Sequence, residues 1–449
     1  MSNKTSQIII LMVLLAVCLA LVSCGTGKNS NSKEASQVAV DDDSSVTDDS
    51  ATDDATDDDT ASDDSSGDDT ADDTSDDSFD DDTGDDSSDD DTADDTSDDT
   101  SDDDTADDTL DDSADDSADD TTDDTAEEPF VYGIKVDNMP LADVIPALDL
   151  FAEKGVIMSL NIRPPNLEGD DLANLLAAAK AAGVPVKAWP LLNSSDGSWG
   201  CEDDADLFIA NVLATMELVA GVDNNVQTVV LNMELGHPKM DLLKQYFDQG
   251  DWASIISLLM GNRDLALFAV NTEKFRGLVD DLHGMGYDVQ AGTYPFFLDD
   301  FLDGDPDIQD ISDVPLSGLD WDYFSAAPYT TEYSHDLGMV LGPYFVYSYA
   351  KSVREQFGPA GEIAMGIVPT ATEDGYASID DFKADIAAAK AGGVRRMDVY
   401  HLPGILAQDD PEAWFDAFQT PPAQPPTEPL VDVVRAGIRL VDAILDNVP

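Results

Sequence analysis

The segment TVVLNMELGH, Thr228 to His237, starts as an apolar run and ends with an amide and an acid two residues apart. Residues two apart on a strand share a face. Asn232 and Glu234 therefore project together, opposite Val229, Leu231 and Met233. A carboxyl group placed this way at a strand end can act as a general acid. Other apolar runs end in the same manner. Asp137 follows the run at 131–136 on the parity of Lys135, and Asn161 and Arg163 end the run at 156–162. Lys187 and Trp189 alternate within 185–191, and Asp398 and Tyr400 within 394–400. Tyr294 and Tyr329 end the runs at 287–294 and 323–329. Amides and carboxylates bind hydroxyl groups, and aromatic faces pack on sugar rings, so the set fits a glycan. Glycoside cleavage needs an acid for the leaving oxygen and a second group facing the anomeric carbon. Glu234 is the candidate acid, with Asp137 and Asp398 as candidate second carboxylates. Asn232, Asn161, Arg163, Lys187, Trp189, Tyr294, Tyr329 and Tyr400 are the candidate substrate-binding groups.

Elements of one kind must position these residues. Strands alternate with helices: 131–136, a helix over 141–154, 156–162, the helix DDLANLLAAAKAAG ending at Gly183, 185–191, a helix over 204–220, and 226–234. A helical insertion of roughly 50 residues runs to Gly286 and is followed by 287–294, 323–329, 363–369, a helix and 394–400. Eight such units in series predict an α/β fold, a closed (β/α)8 TIM barrel over 129–419. In such a barrel one parity of each strand faces the lumen, and active sites lie at the C-terminal strand ends. A structural lumen would favour Val, Ile and Leu, whereas this parity carries charge, amide and aromatic groups. Some of it can be structural, with Lys135, Lys187 or Arg396 neutralising Asp137, Asp398 or Glu234. No strand leads into a Gly-rich phosphate loop, and no cofactor is expected.

The ending VVLNMELG resembles the strand-four signature of family 18 chitinase-like glycosidases, in which Asn or an acid precedes the catalytic Glu by two positions. Asn232 and Glu234 match that ending. APY, Ala327 to Tyr329, is similar to the family's strand-six segment, whose Tyr helps a substrate acetamido group act as nucleophile. The resemblance implies Glu234 as general acid, with Asn232 and Tyr329 as positioners. Val230 and Thr228 stand where the family has its earlier acid and Gly. Another group of retaining barrel glycosidases carries a second Glu at the end of strand seven. Here AMGIVPT has none, and Glu373 and Asp374 lie just beyond it. A catalytically inactive barrel that binds sugars or another surface partner is the alternative.

Other chemistries have weaker support. His237, His283, His335 and His401 lack paired ligand spacing, so no metal is assigned. The carboxylates of DGDPD, 303–307, are spaced for calcium as an alternative. Lys135 or Lys187 could form a Schiff base if desolvated. Cys201 reads as a loop thiol.

The chain has 449 residues and a formal net charge of -75. No Lys or Arg occurs between Glu34 and Lys135, and 41–124 is almost wholly Asp, Thr, Ser and Ala. Such a segment buries too little apolar surface to offset its ordering entropy, so 25–128 is expected to be a disordered tether. It would span roughly 55 Å root-mean-square, and further with charge repulsion. The acidity, with no basic stripe, excludes nucleic acid as a partner. Residues 1–24 read as a secretory signal, with Lys4 before an apolar core from Ile8 to Leu21. Leu21-Val22-Ser23-Cys24 resembles the bacterial lipobox, which implies cleavage before Cys24, its lipidation and membrane anchoring. Gly25 and Thr26 follow in place of an Asp, which leans toward the outer membrane of the cell envelope. A Pro-rich hinge and an amphipathic helix, expected to dock on the barrel, fill 420–449.

Overall fold

The computed structural model describes residues 128–447, apart from Glu168, Gly338, Met339 and 371–374. The signal segment with Cys24, the tether up to residue 127, and Glu373 and Asp374 lie outside the described residues.

Eight parallel strands close in sequence order into a barrel: β1 Val131–Val136, β2 Ile157–Ile162, β3 Val186–Pro190, β4 Val226–Asn232, β5 Asp288–Thr293, β6 Tyr323–Ala326, β7 Gly361–Gly366 and β8 Arg396–Tyr400. The expected TIM barrel is the observed fold. Helices cover the outside: α1 Leu148–Lys154, α2 Asp171–Ala182, α3 Ala205–Ala220, then α4 His237–Gln249, α5 Trp252–Asn262 and α6 Leu265–Gly284 between β4 and β5. α7 Thr330–Leu337 and α8 Pro343–Phe357 follow β6, α9 Ile379–Ala391 follows β7, and α10 Pro429–Leu445 ends the chain.

Local sequence explains the punctuation. α2 ends at Gly183, whose φ of 74° lets it cap the helix in the left-handed region. The helix expected over 141–154 is broken instead, with a 3-10 turn over Ile145–Ala147 between its halves. Pro146 removes one backbone donor there and crowds the preceding turn. β6 stops at Ala326, short of the expected Tyr329, because Pro328 cannot donate to a ladder. β7 begins two residues earlier than expected, which brings Glu362 into the strand.

The apolar parity packs beneath the helices. Ile134, Met158, Leu160, Ala188, Val229, Leu231, Val289, Ala291, Met397 and Val399 have no measurable exposure. The polar parity fills the lumen. Lys187 Nζ donates to Glu362 Oε2 at 2.8 Å and to both oxygens of Asp398 at 3.1 and 3.2 Å. Gln290 Nε2 donates to Glu362 Oε1 at 2.7 Å, and Ser159 Oγ to Asp398 at 3.1 Å. Arg396 approaches Glu362 at 3.6 Å while lying over the Tyr323 ring. Two cations and two anions thus balance within the barrel, as buried charges require. Gly133 makes room for this plug, since a Cβ there would lie 1.9 Å from Asp398 Oδ1.

α10 docks on the barrel through buried Val431, Ile438, Val441 and Leu445. Arg435 fixes it, with Nη2 2.7 Å from Asp299 and Nη1 donating to the Ser348 carbonyl at 2.9 Å.

Candidate functional site

The strand ends surround a mouth of about 100 Å³ that opens to solvent. Asp137, Arg163, Trp189, Asn232, Glu234, Tyr329 and Tyr400 line it, so seven of the sequence candidates meet there. Lys135 and His237 line it as well.

Glu234 lies beyond the last ladder residue of β4, yet its backbone is fixed. Gly200, from the loop after β3, forms a parallel bridge with Met233. Gly200 N donates to the Asn232 carbonyl at 2.8 Å, and Glu234 N donates back to Gly200 at 3.2 Å. Asn232 and Glu234 share a face as expected, with Asn232 Nδ2 donating to Glu234 Oε1 at 2.7 Å. The residue is 8 % exposed, and its Oε2 atom is buried. Burial pushes it up to about 7, against the opposing pull of the Asn232 hydrogen bond, the Lys135 charge and the nearby Tyr294 hydroxyl. It can therefore hold a proton near neutral pH.

Asp137 is saturated with donors. Its Oδ1 accepts from Asn138 N at 2.9 Å and Asn161 Nδ2 at 2.6 Å. Its Oδ2 accepts from Asn138 Nδ2 at 3.2 Å and the Tyr400 hydroxyl at 3.1 Å. Four donors fill the lone-pair sites of a carboxylate and fix it as an oriented charge. Lys135 reaches toward the Tyr329 hydroxyl at 3.5 Å and lies 4.8 Å from the Trp189 ring centre. Tyr329 and Tyr400 lean together with ring centres 6.3 Å apart. Arg163 donates to the Leu192 carbonyl at 2.6 Å, which ties one mouth loop to another.

Four candidates lie outside the lining. Asn161 acts behind Asp137. Asp398 and Lys187 belong to the lumen plug, 1 % and 2 % exposed, and are ion-paired to each other. Opposite charges hold the Asp398 carboxyl below its ordinary value even though burial alone would raise it. Tyr294 is wholly buried, because the chain turns directly after β5 and stacks it on Phe296 at 5.1 Å. Its contact with the mouth runs through Glu234.

Sequence reading missed Trp199, Ser198 and Glu332, which also line the mouth. Trp199 arrives from the loop preceding the Gly200 bridge and stacks on His237 at 4.9 Å. Glu332 stands in the first turn of α7, three residues after Tyr329, and that spacing was its available signal. Burial lowers His237 below its usual value. Burial also pushes the Cys201 thiol up to about 12, so it behaves as an inert core group.

No family model and no curated protein matches this chain. Solved structures with a similar course include the PgaB (BpsB) glycoside hydrolase domain from Bordetella bronchiseptica, at 11 % identity over 65 % of this chain and 99 % of that one, with a TM-score of 0.40. The 3-keto-D-glucoside 4-epimerase from E. coli gives 13 % identity over 65 % and 98 %, with a TM-score of 0.37. A D-psicose 3-epimerase gives 11 % over 70 % and 99 %, with a TM-score of 0.36. At these identities and scores the likeness carries no assignment of chemistry; this chain's own side chains form a mouth around a carboxyl group poised near neutrality.

Proposed function

We propose that the barrel binds and hydrolyses glycans, with Glu234 as general acid. One observation carries the reading: a buried carboxyl, raised to about 7, lines an open mouth with Trp189, Tyr329 and Tyr400. The Glu234 proton goes to the glycosidic oxygen as the C–O bond breaks. The resulting carboxylate then takes a proton from the water that attacks the anomeric carbon. Asp137 supplies a fixed negative charge against the oxocarbenium-like carbon. Asn232 orients the acid, and the aromatic rings bind sugar faces.

The test is Glu234→Gln. Hydrolysis of oligosaccharides in a broad panel should fall by about 10²–10⁴-fold while binding, read by calorimetry, persists. Activity unchanged in that variant would remove Glu234 from the chemistry.

A second reading, sugar binding without cleavage, is favoured by Asp137 itself, whose four donors leave it no position for a nucleophilic step. A wild-type chain that binds an oligosaccharide from the panel and cleaves none selects this reading.

We further propose that Cys24 carries lipid and anchors the chain to the cell envelope, at the outer membrane. The supporting feature is Leu21-Val22-Ser23-Cys24 behind an apolar core. Labelled palmitate should enter the wild-type chain and not Cys24→Ser. Equal labelling of both would refute the anchor.

A further inference from the structure

The loop after β5 and the C-terminal helix meet at a concentration of acid unrelated to the mouth. Oxygens of Asp300, Asp305 and Asp442 lie within 4.8 Å of one another, and so do those of Asp303, Asp305 and Asp446. Asp305 belongs to both groups. Five carboxylates from two separate chain segments thus form two adjoining triads joined at Asp305.

The buried member is the informative one. Asp442 is 2 % exposed, and its Oδ1 has no hydrogen-bond partner. Its polar neighbours are the carboxyls of Asp300 and Asp303, acids like itself, to which it can hydrogen-bond only by sharing a proton. The cations on either side are committed elsewhere: Arg263 pairs with Asp307 at 3.1 Å, and Arg435 and Arg439 pair with Asp299 at 2.7 and 3.4 Å. The loop is otherwise well ordered by its own hydrogen bonds. Asp300 Oδ1 accepts from Ile308 N at 3.0 Å, and Asp305 Oδ1 accepts from Asp307 N at 3.2 Å. Gly304 turns the chain at a φ of 93°. A buried acceptor oxygen among like charges is costly unless a proton or a positive ion stands between them, and a bound cation takes the proton's place.

We infer that Asp300, Asp303, Asp305, Asp442 and Asp446 hold a calcium ion that clamps α10 to the loop after β5. Clustered carboxylates without nitrogen or sulfur donors suit a hard cation, and a flexible set of this size suits calcium better than magnesium. DGDPD alone was only an alternative site by sequence. The tail helix contributes the remaining ligands from more than a hundred residues away. The inference does not depend on the reading of the mouth.

The acidic tether will also attract calcium, so the test compares full-length chains that share it. The wild-type chain, Asp442→Asn and Asp446→Asn are stripped with chelator, and thermal unfolding is followed with and without about 1 mM calcium chloride. Calcium should raise the wild-type Tm by about 5 °C. Asp442→Asn should lose that rise, and Asp446→Asn, at the exposed end of the cluster, should need roughly tenfold more calcium. A rise of equal size at equal calcium in all three chains overturns the inference, as does no rise in the wild type. If Asp442→Asn fails to fold, Asp446→Asn decides alone.

Discussion

At the scale of single residues, Glu234 dominates. Its carboxyl is raised to about 7 by burial, so a general-acid rate should fall as pH rises through that value. Lys135 favours the charged form and pulls the value down. Lys135→Met should therefore move the alkaline limb of the pH–rate profile to higher pH, a shift readable from kcat. The same group links stability to pH. A folded carboxyl that titrates near 7, above its unfolded 4.5, binds its proton more tightly in the folded state. Its contribution is complete below 4.5 and is lost as pH rises through 7. Glu234→Gln should accordingly raise Tm at pH above about 7, with the gain shrinking toward acid. Thermal scans of the two proteins across that window check the sign. The buried Asp385, raised to about 7 beside Thr330 and Tyr376, adds to the same trend in both proteins and cancels in the comparison.

At the scale of elements, the lumen plug is the feature most exposed to mutation. Removing Lys187 leaves two buried carboxylates, Glu362 and Asp398, against the single plug cation Arg396. Lys187→Met should therefore destabilise the barrel by about 3–5 kcal/mol in urea unfolding. Gly133→Ala drives a methyl group into Asp398 and should cost about 1–3 kcal/mol by the same measurement. Much of this layer was legible beforehand, because the period-two alternation separates the parity of Lys135, Asn161, Lys187, Asn232 and Asp398 from the apolar one. Strand ends were less legible. The expected β7 started at its first apolar residue and so passed over Glu362, which the preceding GPAG turn delivers into the ladder. Tyr294 has the right parity, but Pro295 and Phe296 turn it into an aromatic cluster. Trp199 reaches the mouth only because its loop folds back onto β4, a tertiary event that leaves no periodic trace.

At the scale of the whole molecule, the fold class followed from eight alternations of strand and helix, and the closed barrel realises it. The acid is concentrated in 41–124, outside the described residues, in a segment whose composition offers little apolar surface to bury. Replacing 41–124 by a Gly/Ser sequence of equal length should leave the Tm of the barrel within about 1 °C, as the unfolding scan would record. The attachment of α10 was foreseen as docking, but its means were not, because Arg435 and Asp299 are far apart in sequence. Lys187, Glu362, Gln290 and Asp398 are all nearly inaccessible, so the tunnel between the strands is shut from below. A ligand at the upper rim therefore cannot thread the barrel, and it leaves on the side from which it arrived.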